Sequence, residues 1–187
     1  MDALAFAEFV RRAAIGPAAL VIEGEPGIGK TTFWLSAIER MRNDGFRIMS
    51  ARPVAAESVM AYASLADMLV ECDASLLEEL PEPQRLALNR VLLRGDTDDT
   101  ATDQRAVGAA VLTVLTALAD ESPVLLAIDD LQWLDSSSRN VIAFVTRRLP
   151  AGANVIGTVR IEDELGVPAS WLSLAQPDAM RRVRMNH

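Results

Sequence analysis

Eight residues, Gly24-Glu25-Pro26-Gly27-Ile28-Gly29-Lys30-Thr31, spell G-x-x-x-x-G-K-(S/T) between an apolar run and an amphipathic stretch. No other feature narrows the possible folds as much. Gly24, Gly27 and Gly29 allow the backbone to turn tightly and aim successive N–H groups inward, and the helix expected next adds the positive end of its dipole. Such a loop cradles phosphate groups. Lys30 would reach the β- and γ-phosphates, the Thr31 hydroxyl would ligate a magnesium ion, and Thr32 would lie near the α-phosphate.

The flanks supply the context that a chance glycine turn would lack. Ala18 to Ile22 is a continuous apolar run of strand length, and from Phe33 to Met41 the residues Trp34, Ala37, Ile38 and Met41 fall on one helical face. Strand, loop and helix are in the required order. Lys30 is also the sole lysine, because the other seventeen of the 18 basic residues are arginine.

The rest of the chain reads as alternating helices and strands. Met1 to Ile15 predicts a helix beside the first strand, ended by Gly16-Pro17. Asn43-Asp44-Gly45 stops the loop helix, and Phe46 to Ala51 predicts a second strand closed by Arg52-Pro53. Helices are expected at Ser64–Val70, Ala74–Leu80 and Pro83–Leu93, with Glu78, Glu79 and Glu82 on an exposed face. Gly95 to Thr100 reads as a solvated loop: counted from Asp96, it lacks the glycine and glutamate of a calcium loop. Thr102 or Asp103 can cap a long helix that buries Val107, Val111, Val114, Leu115 and Leu118.

Val124-Leu125-Leu126-Ala127-Ile128 is a second fully apolar run, of the kind that forms a central parallel strand. Ser136 to Ser138 would cap the following helix, with Val141, Phe144, Val145 and Leu149 inward and Arg147 and Arg148 near its negative end. Asn154 to Val159 predicts a fourth strand ending at Arg160. Beyond it lie a weak helical patch and the beginning of a fifth strand.

Asp129 and Asp130 follow the second apolar run at once. In a phosphate-loop protein a carboxylate at such a strand end holds magnesium, the place expected for Asp129. Asp130 is placed to orient or deprotonate a water that attacks the γ-phosphate. Two acids merely capping a turn are the plainer alternative. Arg160, ending the next strand, should emerge at the same sheet edge, either as a γ-phosphate contact or as an ordinary surface arginine. Trp133 reads as packing rather than as a stacking surface, and Arg139, Arg147 and Arg148 as helix-surface charge.

Composition removes several other classes. Net charge is −8 in 187 residues, which opposes a nucleic-acid backbone as partner for this chain. Cys72 is the sole cysteine and His187 the sole histidine, so internal disulfides, thiolate metal sites and histidine-based catalysis are not expected. No run approaches the roughly 18 apolar residues of a membrane span. A cytoplasmic location and no membrane partner are the resulting expectations.

Taken together, GEPGIGKT, the stretch AIDDLQWLD at residues 127–135, Ser136-Ser137-Ser138 and Arg147-Arg148-Leu149 closely resemble the nucleotide-binding domain of the signal-transduction ATPases with numerous domains (STAND). Within that group the likeness is to the large ATP-binding regulators of the LuxR type and their AAA relatives, over roughly Ala13 to Arg160. The resemblance implies an α/β three-layer sandwich with a parallel P-loop NTPase sheet in the order 5-1-4-3-2, binding ATP or ADP with Mg²⁺. It matches Asp129 to the magnesium-holding acid and Asp130 to the catalytic or water-positioning acid. Gly157-Thr158-Val159-Arg160 matches the segment whose arginine touches the γ-phosphate. Two departures stand out: Met1 to Val10 lacks the G-R-E element that family members carry near the adenine, and the sequence stops near Met185 where members continue into a winged-helix segment, a repeat-built sensor region and often a helix-turn-helix, so that a fragment and a reduced nucleotide-binding protein are both open readings. The expectation is one nucleotide-binding domain over residues 1–187.

The function expected is an ATP/ADP-dependent switch with slow hydrolysis, partnered by nucleotide and by further copies or regulatory domains. A small phosphotransferase acting on a metabolite is the alternative, with Arg85 to Arg105 as a possible arginine-bearing lid. A third possibility is a remnant that only binds nucleotide. A guanine-specific GTPase is the weakest, since its N-K-x-D motif needs a lysine this chain lacks.

Overall fold

A computed structural model describes residues 3–70, 72–94, 102–161 and 169–186. The Gly95–Thr100 loop and His187 lie outside the described residues. The elements run α1 (Ala3–Ala13), β1 (Ala19–Gly24), α2 (Lys30–Asn43), β2 (Arg47–Ala51), α3 (Ala63–Leu69), α4 (Ala74–Glu78) and α5 (Glu82–Val91). They continue with α6 (Gln104–Glu121), β3 (Val124–Ile128), α7 (Ser136–Thr146), β4 (Ala153–Arg160) and β5 (Met180–Arg184). Single 3₁₀ turns occupy Ala55–Glu57, Leu131–Trp133 and Pro177–Ala179.

The five strands form one parallel sheet in the order β2-β3-β4-β1-β5, which read from the other edge is the expected 5-1-4-3-2. Every residue of β3 is buried, as are seven of the eight in β4, so both faces of the sheet are covered. On one face α1 and α2 bring Phe9, Ala13, Trp34, Ala37, Ile38 and Met41 against Leu20, Ile22, Leu125, Ala127 and Ile156. On the other, α3 to α7 build the larger core around Leu126, Ile128, Val155 and Val159, into which α6 turns Val107, Val111, Val114, Leu115 and Leu118. Register is fixed partly by Asn154, fully buried, whose Oδ1 accepts the backbone N–H of Ala18 at 3.0 Å.

Three local expectations are corrected. The cap of α7 is Asp135, whose carboxylate accepts the Ser138 N–H at 2.8 Å, because residues 136–138 already belong to the helix. Its inward face gains Ile142, while Phe144 is only half-buried and Leu149 lies beyond the last turn. Among the described residues after Arg160, the weak helical patch is no more than a 3₁₀ turn leading into β5. Asp103 is the cap of α6, accepting the Arg105 N–H at 2.8 Å.

Parallel strands end on the same side. Gly24 is paired in register with Arg160, and Ile128 with Gly157, so the phosphate loop, the two aspartates and Arg160 leave the sheet at one edge. Arg52 follows β2 at that edge as well.

Candidate functional site

The loop after β1 has the backbone its glycines predict: Gly27 and Gly29 lie at φ 80° and 98°, where a side chain would be strained. Gly29 immediately precedes α2, so the first N–H groups of that helix open into the loop. Lys30 is 6% exposed, and its Nζ donates to the carbonyls of Gly24 at 2.9 Å and Glu25 at 2.7 Å. Burial pushes the Lys30 ammonium below the usual lysine range, with Arg160 acting in the same direction and Asp130 and Asp129 opposing both. A cation held at this cost, in a loop of inward N–H groups, is poised for an anion.

Asp129 sits one residue past β3 and is 4% exposed. Such a burial requires partners. Its Oδ1 accepts from the Thr158 hydroxyl at 2.6 Å and from the Thr31 hydroxyl at 3.4 Å, and its Oδ2 lies 3.7 Å from Arg52 Nε. Thr31 and Asp129 thus put two hard oxygen donors side by side, the donor type that magnesium takes. The residues present fit that ion.

Asp130 departs from the strand in a left-handed conformation, φ 53° and ψ 58°. Aspartate tolerates this region better than most residues, but it is held there: its N–H donates to Thr158 Oγ1 at 2.8 Å. The carboxylate faces Arg160 in a fork, with Nε 3.4 Å from Oδ1 and Nη2 3.3 Å from Oδ2. Gln132 closes the arrangement, its Nε2 donating to Asp130 Oδ1 at 2.9 Å and its Oε1 accepting the Arg160 N–H at 3.2 Å.

A cleft of about 250 Å³ joins these groups, lined by Pro26, Gly27, Gly29, Lys30, Thr31, Thr32, Asp130 and Arg160. Glu25 is exposed at the rim, Ile28 packs its side chain against Gly24, and Gly24 itself closes the end of β1 beneath the loop. Asp129 lies just below the cleft, joined to it through Thr31. The candidate residues are therefore brought together. Trp133, by contrast, is half-buried in the 3₁₀ turn, and Arg139, Arg147 and Arg148 are exposed on or after α7. Arg148 donates to the Phe144 carbonyl at 3.0 Å and lies 3.9 Å over the Phe144 ring, a helix-end contact.

Three neighbours of the site were not singled out by sequence reasoning: Thr158 as the hydroxyl between the acids, Gln132 as their carboxamide bridge, and Arg52 beside Asp129. Thr158 and Gln132 lie inside the Gly157–Arg160 and AIDDLQWLD stretches that carry the resemblance, but neither has a role assigned there, and Arg52 belongs to no pattern. The signal that could have found them is position, since each lies near a strand end or in the turn directly after one.

No described helix is long and apolar enough to cross a membrane. No curated protein matches the chain. The family model described as AAA ATPase domain matches residues 2–157, a span that contains the phosphate loop and both aspartates and ends at Gly157 in β4. With the parallel sheet in its order and the loop facing paired acids across one cleft, the chain belongs to the AAA ATPase domain family.

Proposed function

We propose that the domain is a nucleotide-dependent switch of the signal-transduction type, binding ATP or ADP and hydrolysing ATP slowly. The observation that carries this reading is the ion pair between Arg160 and Asp130 across the mouth of the phosphate cleft. One arginine there faces two competing anions, the carboxylate and an incoming γ-phosphate. ATP, which carries the γ-phosphate, draws the guanidinium from Asp130; ADP leaves the pair intact. The two nucleotides thus favour different arrangements at the ends of β3 and β4, which is what a switch requires.

In this reading the loop N–H groups of residues 27–31 and the Lys30 ammonium bind the β- and γ-phosphates, while Thr31 and Asp129 hold Mg²⁺. The ion, when bound, neutralises charge on the β- and γ-oxygens. Asp130 accepts a proton from the water whose oxygen attacks the γ-phosphorus, the bond to the β,γ-bridging oxygen breaks, and ADP departs with that electron pair. Arg160 stabilises the charge on the transferred group. The AIDDLQWLD stretch and the arginine ending β4 support placement among the regulators of the LuxR type.

The metabolite-kinase alternative gains no support from the described part of its lid segment. Of the Arg85 to Arg105 segment expected as a lid, residues 95–101 lie outside the described residues, while residues 85–91 belong to α5, which packs along α6 and contributes Ala87, Leu88 and Val91 to the core.

Phosphate release with Mg-ATP and no acceptor tests the reading. Slow, steady release is expected, together with an Arg160→Ala variant that loses ATP affinity more than ADP affinity. Turnover only in the presence of a metabolite acceptor, or equal loss for both nucleotides, would overturn it.

A further inference from the structure

Gln132 connects Asp130 and Arg160 beyond the last paired residues of β3 and β4, Ile128 and Gly157. Its carboxamide can satisfy both contacts in one orientation only, because the Asp130 carboxylate accepts and the Arg160 backbone N–H donates. The amide nitrogen must therefore face Asp130 Oδ1 and the amide oxygen must face the end of β4. Gln132 is itself held in the 3₁₀ turn that starts at Asp130, where the Trp133 N–H donates to the Asp130 carbonyl at 2.9 Å. Next to it, Leu131 is 1% exposed and packs against Gly157, where an added Cβ would lie 2.7 Å from Leu131 Cδ1. The turn has little freedom to slide.

Asp130 thus has two kinds of partner. The Arg160 guanidinium holds both carboxylate oxygens but has a third of its side-chain surface in solvent, 37%, and opens toward the cleft. The Gln132 amide reaches Oδ1 alone and is anchored to the backbone of β4. Resting on the hydrolytic reading above, we infer that Gln132 is a positioning residue for Asp130: it keeps Oδ1 tethered to the end of β4 when the Arg160 side chain moves to phosphate, leaving Oδ2 as the oxygen that receives the proton of the attacking water. Without that tether an aspartate in the left-handed region, no longer paired with Arg160, is free to rotate about χ1 and χ2 and lose its line to the water.

The test compares Gln132→Ala, Gln132→Met and Gln132→Glu in the full chain, alone and combined with Asp130→Ala. Nucleotide affinity, steady-state phosphate release and thermal unfolding are measured for each. Gln132→Ala and Gln132→Met should lower kcat about tenfold while leaving KM and the Kd for ATP within about twofold, since the residue touches no phosphate. Gln132→Glu preserves the acceptor for the Arg160 N–H but sets a carboxylate against Asp130, so it should do no better than alanine. In the Asp130→Ala background Gln132→Ala should have no further effect, because a group acting only through Asp130 has nothing left to position.

Unchanged kcat in all three variants would overturn the inference. So would rescue by glutamate, which would mark Gln132 as a brace for β4 alone, or a full additional loss in the Asp130→Ala background. If one variant unfolds, the same comparisons hold for the others. Wild-type protein that binds ATP and releases no phosphate would overturn the hydrolytic reading and this inference together, whereas wild-type turnover with unaffected variants would overturn this inference alone.

Discussion

Two side chains at the cleft divide the work between binding and chemistry, and each can be removed separately. Asp130→Asn keeps the shape and the Gln132 contact while deleting the base and its charge. Nucleotide affinity should persist, and the barrier should rise by about 3 kcal/mol, a factor of roughly 100 in phosphate release. Equal turnover in the variant and the wild type would remove Asp130 from its place in the mechanism. Lys30 offers a pH signature. Its burial holds the ammonium below the ordinary lysine range, so in the free protein it loses its proton at a lower pH than an exposed lysine does. The charged form is the one that binds phosphate, hence ATP affinity should be complete on the acid side of that transition. It should fall as pH rises through it, before the ordinary lysine value is reached. Titration of ATP affinity between neutral and alkaline pH reads this directly, and flat affinity up to that value would contradict the assignment.

At the scale of elements, the buried carboxylate of Asp135 joins two helices. It is 1% exposed and accepts the N–H groups of Ser138 at 2.8 Å, Tyr62 at 2.8 Å and Ser64 at 3.2 Å. One acid therefore caps α7 and also receives the start of α3, while Ser138 Oγ accepts the Leu65 N–H at 2.9 Å. Two helix N-termini with positive dipole ends converge on a single negative charge. Asp135→Ala leaves three buried donors without an acceptor and should cost about 3 kcal/mol in denaturant unfolding. A loss below about 1 kcal/mol would mean that water replaces the carboxylate. On sequence grounds Ser136–Ser138 are the expected caps, because serine is a strong capping residue. The helix started one residue early because Asp135 offers a full charge and was already committed to α3 from the other side.

For the whole molecule, the consequence of the cleft is linkage between ligand and fold. Loop, α2, β3 and β4 each contribute a group to one site, so nucleotide should stabilise the domain as a unit. At a hundred times its Kd, Mg-ATP should raise the unfolding free energy by about 2.7 kcal/mol, seen as a higher Tm. Lys30→Ala should abolish the rise while changing the nucleotide-free Tm far less. A comparable rise in that variant would place the nucleotide elsewhere. The exposed ion pairs, such as Arg40 with Asp44 and Arg42 with Glu39, contribute little to this stability because solvent screens them.

The sequence by itself determined the loop, the strand that precedes it, the helices with a strong apolar period and the two acids after Ile128. Each is written in contiguous residues: glycine where φ must be positive, apolar runs where both sheet faces are covered, aspartates directly after a run. Resemblance supplied the strand order, and the structure agrees with it. What only the tertiary structure decided is how side chains from different elements meet: Thr158 hydroxyl between Asp129 and Asp130, Gln132 from Asp130 to β4, Arg160 turned onto Asp130, Asp135 shared by α3 and α7. Most of those contacts join residues that the sheet register or helix packing brings together from separate parts of the chain. Hydrogen bonds of that kind have no period and no local spacing, because they depend on which carboxylate oxygen a distant donor can reach once the core has packed.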